Sequence, residues 1–252
     1  DIITLNQPFI QFTAADKTQH EIWIIDNTDM VNDLTDLFSE LDAIYIADGH
    51  HRSHAAQHVF EKRKENNPHH TGEEPYNYYL NILFPAEQLN IIAYNRLVKD
   101  LNGQSLDKFL LECRKSFSVK EISHPYSPQS LHSFGMYCAG KWYELVLKED
   151  FIDNDNPIKS IDAGLLYDYL LSPILAIKDP KEDPRLTFIG GDKSPLQLQD
   201  TVDSGEHDIA FTLFPTSMQQ VLDIADTGQI MPAKSTWFDP KLRSGLLVYS
   251  LE

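Results

Sequence analysis

The chain has 252 residues, of which 42% are hydrophobic, and these values allow one large or two small domains with a buried core. Its 21 basic and 38 acidic residues give a net charge of −17, which repels a polyanion over most of the surface and excludes duplex nucleic acid as a partner. No apolar run is long enough to span a bilayer and no segment resembles a signal peptide, so we expect a globular cytoplasmic protein with no role in the membrane.

The first half of the sequence predicts strands alternating with helices. The run over residues 43–47 is apolar and partly β-branched, which predicts a buried central strand. Apolar spacing then predicts a helix that ends near Pro68, and a later helix that Ser105 caps. The predicted strands cover residues 8–13, 20–26, 43–47, 76–84 and 90–98, the last two as a pair, and helices are predicted over 30–41, 50–67 and 106–117.

The second half predicts a hairpin, a long helix and further strands. The hairpin covers residues 134–147 and turns at Ala139-Gly140, and the helix covers 161–177. Strands are predicted over 185–191, 210–214 and 244–251, and Thr216 with Gln219 predicts a capping box. The predicted fold class is α+β, with a mixed β-sheet and packed helices. We expect a core over residues 1–130 and an α+β subdomain over 131–252, together forming one compact unit.

The segment Asp48-Gly49-His50-His51-Arg52 is the strongest candidate site. It lies at a predicted strand-to-helix junction, where free backbone N–H groups and the positive end of the helix dipole favour an anion. Gly49 allows close approach of the backbone, and Arg52 offers a forked donor for a phosphate. We therefore predict a phosphate site, with Asp48, His50 and His51 as catalytic candidates. The alternative is a turn in which His50 caps the helix and Asp48 accepts from turn amides, without a ligand.

These residues also resemble known families. The pentapeptide resembles the G-x-x-R signature of the ParB/sulfiredoxin superfamily, whose members share a small α/β nucleotide-binding domain. Across most of its length the chain resembles a bacterial family of unknown function, sometimes labelled SpoOJ/ParB-like. The shared pieces are D-G-H-H-R, N-R-L-V at residues 95–98 and M-P-x-K-S-T-x-F-x-P-K-x-x-S-G-L at 231–246. Because that family's proteins are longer and residue 1 is Asp, we expect a C-terminal portion of a longer protein.

The resemblance implies a nucleotide-binding protein with ATP or ADP as its ligand. Some ParB-fold relatives are kinases of free serine, which implies an ATP- or ADP-dependent phosphotransferase acting on a small metabolite such as free serine. In that scheme Arg52, His51 and Lys234 neutralise phosphate charge, Mg²⁺ bridges phosphates, and Asp48 holds the metal or accepts the hydroxyl proton. The residue before the His-Arg pair is the redox cysteine in sulfiredoxins, but it is His50 here, so sulfinic acid reduction is excluded.

The C-terminal segment carries a second set of candidates. Residues 228–235 come within one residue of the P-loop pattern, but Ala233 replaces the second glycine and the run follows a predicted helix, so we reject a Walker site. Cations and hydroxyls are nevertheless concentrated there, and they can complete an anion pocket together with Arg96. The alternative is a basic surface loop. The predicted phosphate-binding residues beyond Gly49 and Arg52 are Arg96, Lys234, Ser235, Thr236 and Lys241.

Other patterns leave alternatives open. His50, His54 and His58 have the i, i+4 spacing of zinc ligands, which allows a metal-dependent hydrolase, but a solvated histidine-rich face is the favoured account of His54, His58, His69 and His70. A non-catalytic nucleotide-binding module is the third possibility. Residues 190–193 are either a phosphate or metal loop or an ordinary turn. Cys113 lies on the apolar stripe of a predicted helix and is predicted to be a buried reduced thiol, and Cys138 forms no C-x-x-C pattern with it. The conceivable general bases are Asp48, which ranks first, and Asp162, Glu182, Asp183 and Asp192.

Overall fold

A computed structural model of the chain describes residues 6–153, 156–191 and 193–251. The chain forms two compact units, one comprising residues up to 46 and the other the residues from 47 onward. No helix within the described ranges is both long and apolar enough to cross a membrane.

The first unit contains a hairpin and a helix. Strands β1 (Ile10–Thr13) and β2 (Gln19–Ile22) pair antiparallel, and they lie largely within the predicted strands 8–13 and 20–26. Helix α1 (Thr28–Ser39) is capped by the Asn27 side chain, which accepts from the backbone N–H of Met30. The predicted central strand is wrong: residues 43–47 are not part of any strand, and Ile44, Tyr45 and Ile46 are exposed. An apolar run forms a strand only when a neighbour supplies hydrogen bonds, which the run itself cannot specify.

The second unit is built on a six-stranded sheet with the order β5-β7-β6-β9-β4-β8. All of its pairings are antiparallel, so the α+β class is confirmed, whereas the mixed strand direction is not found within the described residues. Its strands come from both sides of residue 130. They are β4 (Asn95–Val98), β5 (Phe117–Ile122), β6 (Ser133–Cys138), β7 (Lys141–Leu147), β8 (Leu186–Ile189) and β9 (Ile209–Leu213).

Side chains from both faces of this sheet are buried. On one face Phe134, Met136 and Phe211 belong to the larger core, which α3 (Leu106–Ser116) covers with Phe109 and Cys113. On the other face Tyr137 and Trp142 pack with Leu198 and Val202 of α5 (Pro195–Asp203). Strand β6 is therefore buried at every position, as expected for a central strand. Helix α5 was not predicted.

The remaining helices of the second unit differ in how closely they follow the prediction. Helix α2 (His50–Glu65) begins directly after Gly49, as predicted. The predicted helix over 161–177 is shorter in the structure. It consists of α4 (Asp162–Leu166) followed by one π-helical turn, Tyr167–Leu171. The last helix, α6 (Met218–Asp226), has its capping box one residue later than predicted, at Ser217 and Gln220.

Two short strands, β3 (Asn90–Ile92) and β10 (Trp237–Asp239), form a separate antiparallel pair. This pairing replaces the predicted one between residues 76–84 and 90–98. Residues 78–84 do not form a strand within the described chain, and the predicted strand over 244–251 is absent from the described residues there. Because β3 pairs with a strand nearly 150 residues later in the sequence, its partner was not predictable from neighbouring turns.

Candidate functional site

The turn before α2 has the conformation expected of an anion site. Gly49 is the N-cap residue and has φ 84°, in the left-handed region that glycine adopts without strain. Among the described residues no side-chain hydrogen bond caps this helix, so the alternative in which His50 caps it is not found. The Asp48 carboxylate accepts instead from the Gly49 N–H, at 2.7 Å.

Two cations flank this turn. The Nζ of Lys241 lies 2.8 Å from Oδ2 of Asp48, and the two residues are separated by 193 positions in sequence. The Arg52 guanidinium folds back over Gly49, where a Cβ atom would come within 3.2 Å of Nη2 of Arg52. Gly49 therefore serves two purposes, because it provides the left-handed conformation and leaves room for the guanidinium.

The environment of Asp48 keeps its carboxylate ionised. Partial burial acts to raise its pKa, but the hydrogen bonds from Lys241 and from the Gly49 N–H, with the charges of Lys241 and Arg52, lower the pKa below its ordinary value. Both partners are partly exposed, with 57% of the Asp48 side chain and 40% of the Lys241 side chain accessible. The pair is therefore open to solvent and able to exchange partners.

The histidines of α2 do not form a metal centre. His50, His51, His54 and His58 are all exposed. In the described parts of the chain, no group of three or more His, Cys, Asp or Glu side chains is placed to hold a metal ion. His70 does not belong to a solvated face, contrary to one interpretation of the sequence, because its Nδ1 lies 2.9 Å from the Tyr76 hydroxyl and 3.1 Å from Oε2 of Glu74.

Arg96 lies away from solvent and binds the main chain. It is 2% exposed, and its Nη1 donates to the carbonyls of Tyr94, at 2.7 Å, and Asn95, at 3.3 Å. Its Nη2 donates to the carbonyl of Lys234, at 2.8 Å. Lys234 itself has φ 56°, an uncommon conformation for a residue with a side chain, and this contact helps to hold it.

The C-terminal candidates separate into different roles. The ammonium of Lys234 lies 5.5 Å from the centre of the Tyr94 ring, and that of Lys241 lies 4.9 Å from the centre of the Trp237 ring. Ser235 is buried, and its hydroxyl donates to the Pro232 carbonyl at 2.7 Å. Of this segment, Lys241 is thus the residue with a described contact to the turn. Thr236 is half-buried beside Ser235.

Sequence comparison places the chain in a family. The model of a protein family described as "Protein of unknown function (DUF1015)" matches residues 2–164, which is more than half of the chain. The chain belongs to the DUF1015 family. This confirms the predicted membership of a family of unknown function, while the ParB resemblance stays a prediction. No curated protein matches the DUF1015 chain.

Several solved structures resemble the DUF1015 chain in part. Free serine kinase in complex with AMP has 12% identity and a TM-score of 0.40, covering 85% of this chain and 81% of that one. A conserved hypothetical protein from Pyrococcus furiosus has 12% identity and a TM-score of 0.42, with 83% and 81% covered. A point variant of free serine kinase in complex with AMP has 12% identity, a TM-score of 0.38 and 61% of this chain covered, and the chain spans 55% of its length. Likeness at this level carries no argument about function.

The DUF1015 chain contains one feature of the site that sequence reasoning missed. Tyr94 and Trp237 contact each other edge to face, with ring centroids 5.3 Å apart. Lys234, Tyr94, Trp237 and Lys241 therefore form a row of two rings with a cation at each end, which we call the aromatic row. Trp237 lies within the conspicuous segment 231–246, which was a usable signal. Tyr94 directly precedes Asn95-Arg96, but nothing in the sequence indicated a contact with Trp237.

The other carboxylates are poorer candidates for a general base. Asp183 is paired with Arg185 at 2.7 Å, a hydrogen bond that lowers its pKa, and Glu182 is exposed. Asp162 is buried, and burial raises its pKa to about 7 despite a hydrogen bond from the His132 backbone N–H. Asp192 lies outside the described residues. Gly190 and Gly191 pack closely against Trp237 and Ile92, which favours the ordinary-turn interpretation of this pair over a phosphate loop.

Proposed function

We propose that this chain binds the phosphate groups of a nucleotide at residues 48–52 and transfers a phosphoryl group, with ATP or ADP as the donor. The observation that carries the proposal is the approach of Lys241 to a turn over which Arg52 already lies. In a chain of net charge −17, two cations from distant positions flank one helix N-terminus that has no side-chain cap. Such an arrangement fits a phosphate, because free N–H groups and the helix dipole add to the two charges.

Asp48 holds the place of the anion when the phosphate is absent. Its oxygens accept from Lys241 and from the Gly49 N–H, both of which are donors that a phosphate oxygen can use. Exchange of Lys241 from the carboxylate to the phosphate costs little, since an exposed ion pair contributes only about 0 to 1 kcal/mol. Binding then releases the Asp48 carboxylate for a second role.

That second role is metal positioning rather than proton transfer. An ionised carboxylate oxygen is the ligand type that Mg²⁺ prefers, and Asp48 is accessible, so the site fits Mg²⁺ held jointly by Asp48 and the phosphates. The ion would neutralise charge between the phosphates. Asp48 is a weak base while it is paired with Lys241, because this pairing lowers the pKa of its carboxyl group.

The acceptor in this proposal is a small hydroxyl-bearing metabolite such as free serine. This part is supported by the resemblance of the D-G-H-H-R motif to that of ParB-fold kinases of free serine. His50 and His51 are exposed in the first turn of α2, where either can donate to a phosphate oxygen.

A metal-dependent hydrolase receives less support. It requires three ligands that converge on one ion, and no such group exists among the described side chains. A non-catalytic nucleotide-binding module uses the same turn, and only turnover distinguishes it from a phosphotransferase.

Isothermal titration calorimetry with ATP, ADP and CTP, with and without Mg²⁺, tests the proposal. We expect binding to wild type and substantial weakening in Arg52→Lys, which keeps the charge but loses the fork, and in Lys241→Ala. Lys141→Ala is the matched control, because Lys141 pairs with Glu121 at 2.9 Å with comparable exposure. His54→Ala should also bind normally.

Phosphorylation of serine or another small hydroxyl compound, with release of ADP from ATP or of AMP from ADP, tests the transfer step. Nucleotide binding without turnover would support the non-catalytic module. If no nucleotide binds, or if Arg52→Lys and Lys241→Ala bind as wild type does, the phosphate site is wrong.

A further inference from the structure

A cavity whose lining includes none of residues 48–52 lies beside Arg96. Its volume is about 390 Å³, within the range of sites that hold small metabolites. Strands β4 and β8, the π-helical turn and the segment before α4 contribute to its wall, and residues 232–233 close one side. Its apolar lining includes Ile158, Ala163, Leu171, Leu186, Phe188 and Pro232.

Arg96 is the buried charge in this wall, and its donors are incompletely used. A guanidinium has five N–H groups, and three hydrogen bonds to carbonyls are described. The Nε–H and one N–H of Nη2 have no partner among the described residues. No described carboxylate forms an ion pair with Arg96, and desolvation lowers its pKa to about 9.

A buried cation without a counter-ion is costly, since removal of a charge from water is compensated only by a partner of opposite charge or by hydrogen bonds. Carbonyl acceptors supply part of that compensation here. An anion in the cavity would supply the rest, together with the acceptor atoms for the two unused N–H groups.

The guanidinium is also held in one plane. The Phe188 ring lies 4.4 Å from the Arg96 guanidinium carbon, and Arg96 and Phe188 are directly opposite in the pairing of β4 with β8. The three carbonyls fix its remaining freedom. A donor group that is fixed in this way loses little entropy on binding, and its flat geometry fits a planar carboxylate or a phosphate.

The charges at the mouth of the cavity balance each other. Lys159 and Lys181 contribute two positive charges, while Asp168 and Asp179 contribute two negative charges. Lys159 is further neutralised by Asp153, at 3.2 Å. With Asp153 included these groups sum to −1, so Arg96 is the cation on which an anionic ligand depends. Asp168 belongs to the π-helical turn, a feature that is frequent at functional sites.

We propose that this cavity binds a small organic anion, with its carboxylate or phosphate on Arg96 and its apolar body against Phe188 and Leu171. The proposal does not depend on nucleotide binding at residues 48–52, since Arg96 has no described contact with that turn. Asp168 at the mouth would accept a hydrogen bond from a donor group on the ligand.

Benzoate and phenyl phosphate are the probes, because each joins an oxyanion to an apolar body that fits the cavity, and benzamide is the neutral control. We expect benzoate, phenyl phosphate or both to bind wild type in NMR titrations and to shift the amides of Ala163, Gly164 and Phe188. Binding of benzoate alone would indicate a carboxylate ligand, and preference for phenyl phosphate a phosphate monoester. Benzamide should bind at least about tenfold more weakly, as expected for loss of a charge-assisted hydrogen bond.

Two variants test the position. Arg96→Gln should weaken the binding of the anionic probe about ten- to a hundredfold, and Ala163→Phe should abolish it by filling the cavity. Lys141→Ala should bind as wild type does. If Arg96→Gln fails to fold, the amide shifts of wild type and the Ala163→Phe result decide the question alone.

The proposal is overturned if neither anion binds wild type at millimolar concentration, if benzamide binds as tightly as benzoate, or if Ala163→Phe binds normally. Loss of anion binding in Ala163→Phe with nucleotide binding retained would separate this site from the turn at residues 48–52.

Discussion

The Nζ of Lys241 lies 2.8 Å from Oδ2 of Asp48, which joins the C-terminal segment to the turn that precedes α2. On its other side the Lys241 ammonium lies 4.9 Å from the centre of the Trp237 ring. One lysine thus connects the turn with the aromatic row. Because the side chains of both partners are partly exposed, we interpret this ion pair as a functional contact rather than a source of stability.

Removal of the Lys241 ammonium should raise the pKa of Asp48. Asp48 has a lowered pKa in the folded chain, so its stabilising contribution is present above the unfolded pKa and is lost as pH falls through the folded value. Lys241→Ala should reduce that contribution and cost about 0 to 1 kcal/mol at neutral pH. The carboxyl carbon shift of Asp48, followed by NMR during a pH titration, checks the first expectation. An unchanged titration would show that the contact does not persist in solution.

Asp162 should make the fold less stable as pH rises. Its Oδ1 accepts from the His132 backbone N–H at 2.9 Å, but its buried Oδ2 has no described partner. Burial raises its folded pKa to about 7, so the folded chain retains a proton that the unfolded chain has lost, and stability falls between about pH 4 and pH 7. Asp162→Asn should therefore stabilise the protein at about pH 8 more than at about pH 4.

Urea unfolding of wild type and Asp162→Asn at the two pH values measures this difference. An equal effect of the substitution at both pH values would contradict the raised pKa of Asp162.

Gly191 should not tolerate a side chain. A Cβ atom at this position would overlap the Ile92 side chain and the Ala93 carbonyl. Gly191→Ala should cost about 1 to 3 kcal/mol, as expected for overpacking. Gly164→Ala is the control, because its Cβ would lie 3.3 Å from Cγ of Pro232 and requires only a small adjustment. Equal thermal midpoints for Gly191→Ala and wild type would reopen the phosphate-loop interpretation of this segment.

The two cysteines should be unreactive in the folded chain. Cys113 and Cys138 are both free and buried, and desolvation raises the pKa of each thiol to about 12. Since the thiolate is the reactive species, a disulfide reagent should modify neither thiol in native buffer and both in guanidinium chloride. If either cysteine were modified in native buffer as fast as it is in guanidinium chloride, the described burial would be contradicted.

Local signals in the sequence were sufficient for many elements of the second unit. Ser105 caps α3, and its side chain accepts from the Lys108 N–H as predicted. The hairpin turns at Ala139 and Gly140, both of which have positive φ. Burial of Cys113 and the start of α2 after Gly49 were also predicted correctly. In each case the determining residues are neighbours in sequence, so a turn glycine, a cap or an apolar stripe is enough.

The sequence alone thus determined the α+β class and the first residues of α2 and α3, and it marked residues 48–52 and the C-terminal segment as candidates. The tertiary structure decided which parts of that segment meet which partners. Lys241, rather than Lys234, contacts Asp48; the Lys234 carbonyl accepts from Arg96; and residues 43–47 do not form a strand in the described chain. These relationships join positions up to 193 residues apart. Their outcome depends on chain closure and on competition between strand partners, and neither is encoded in local periodicity.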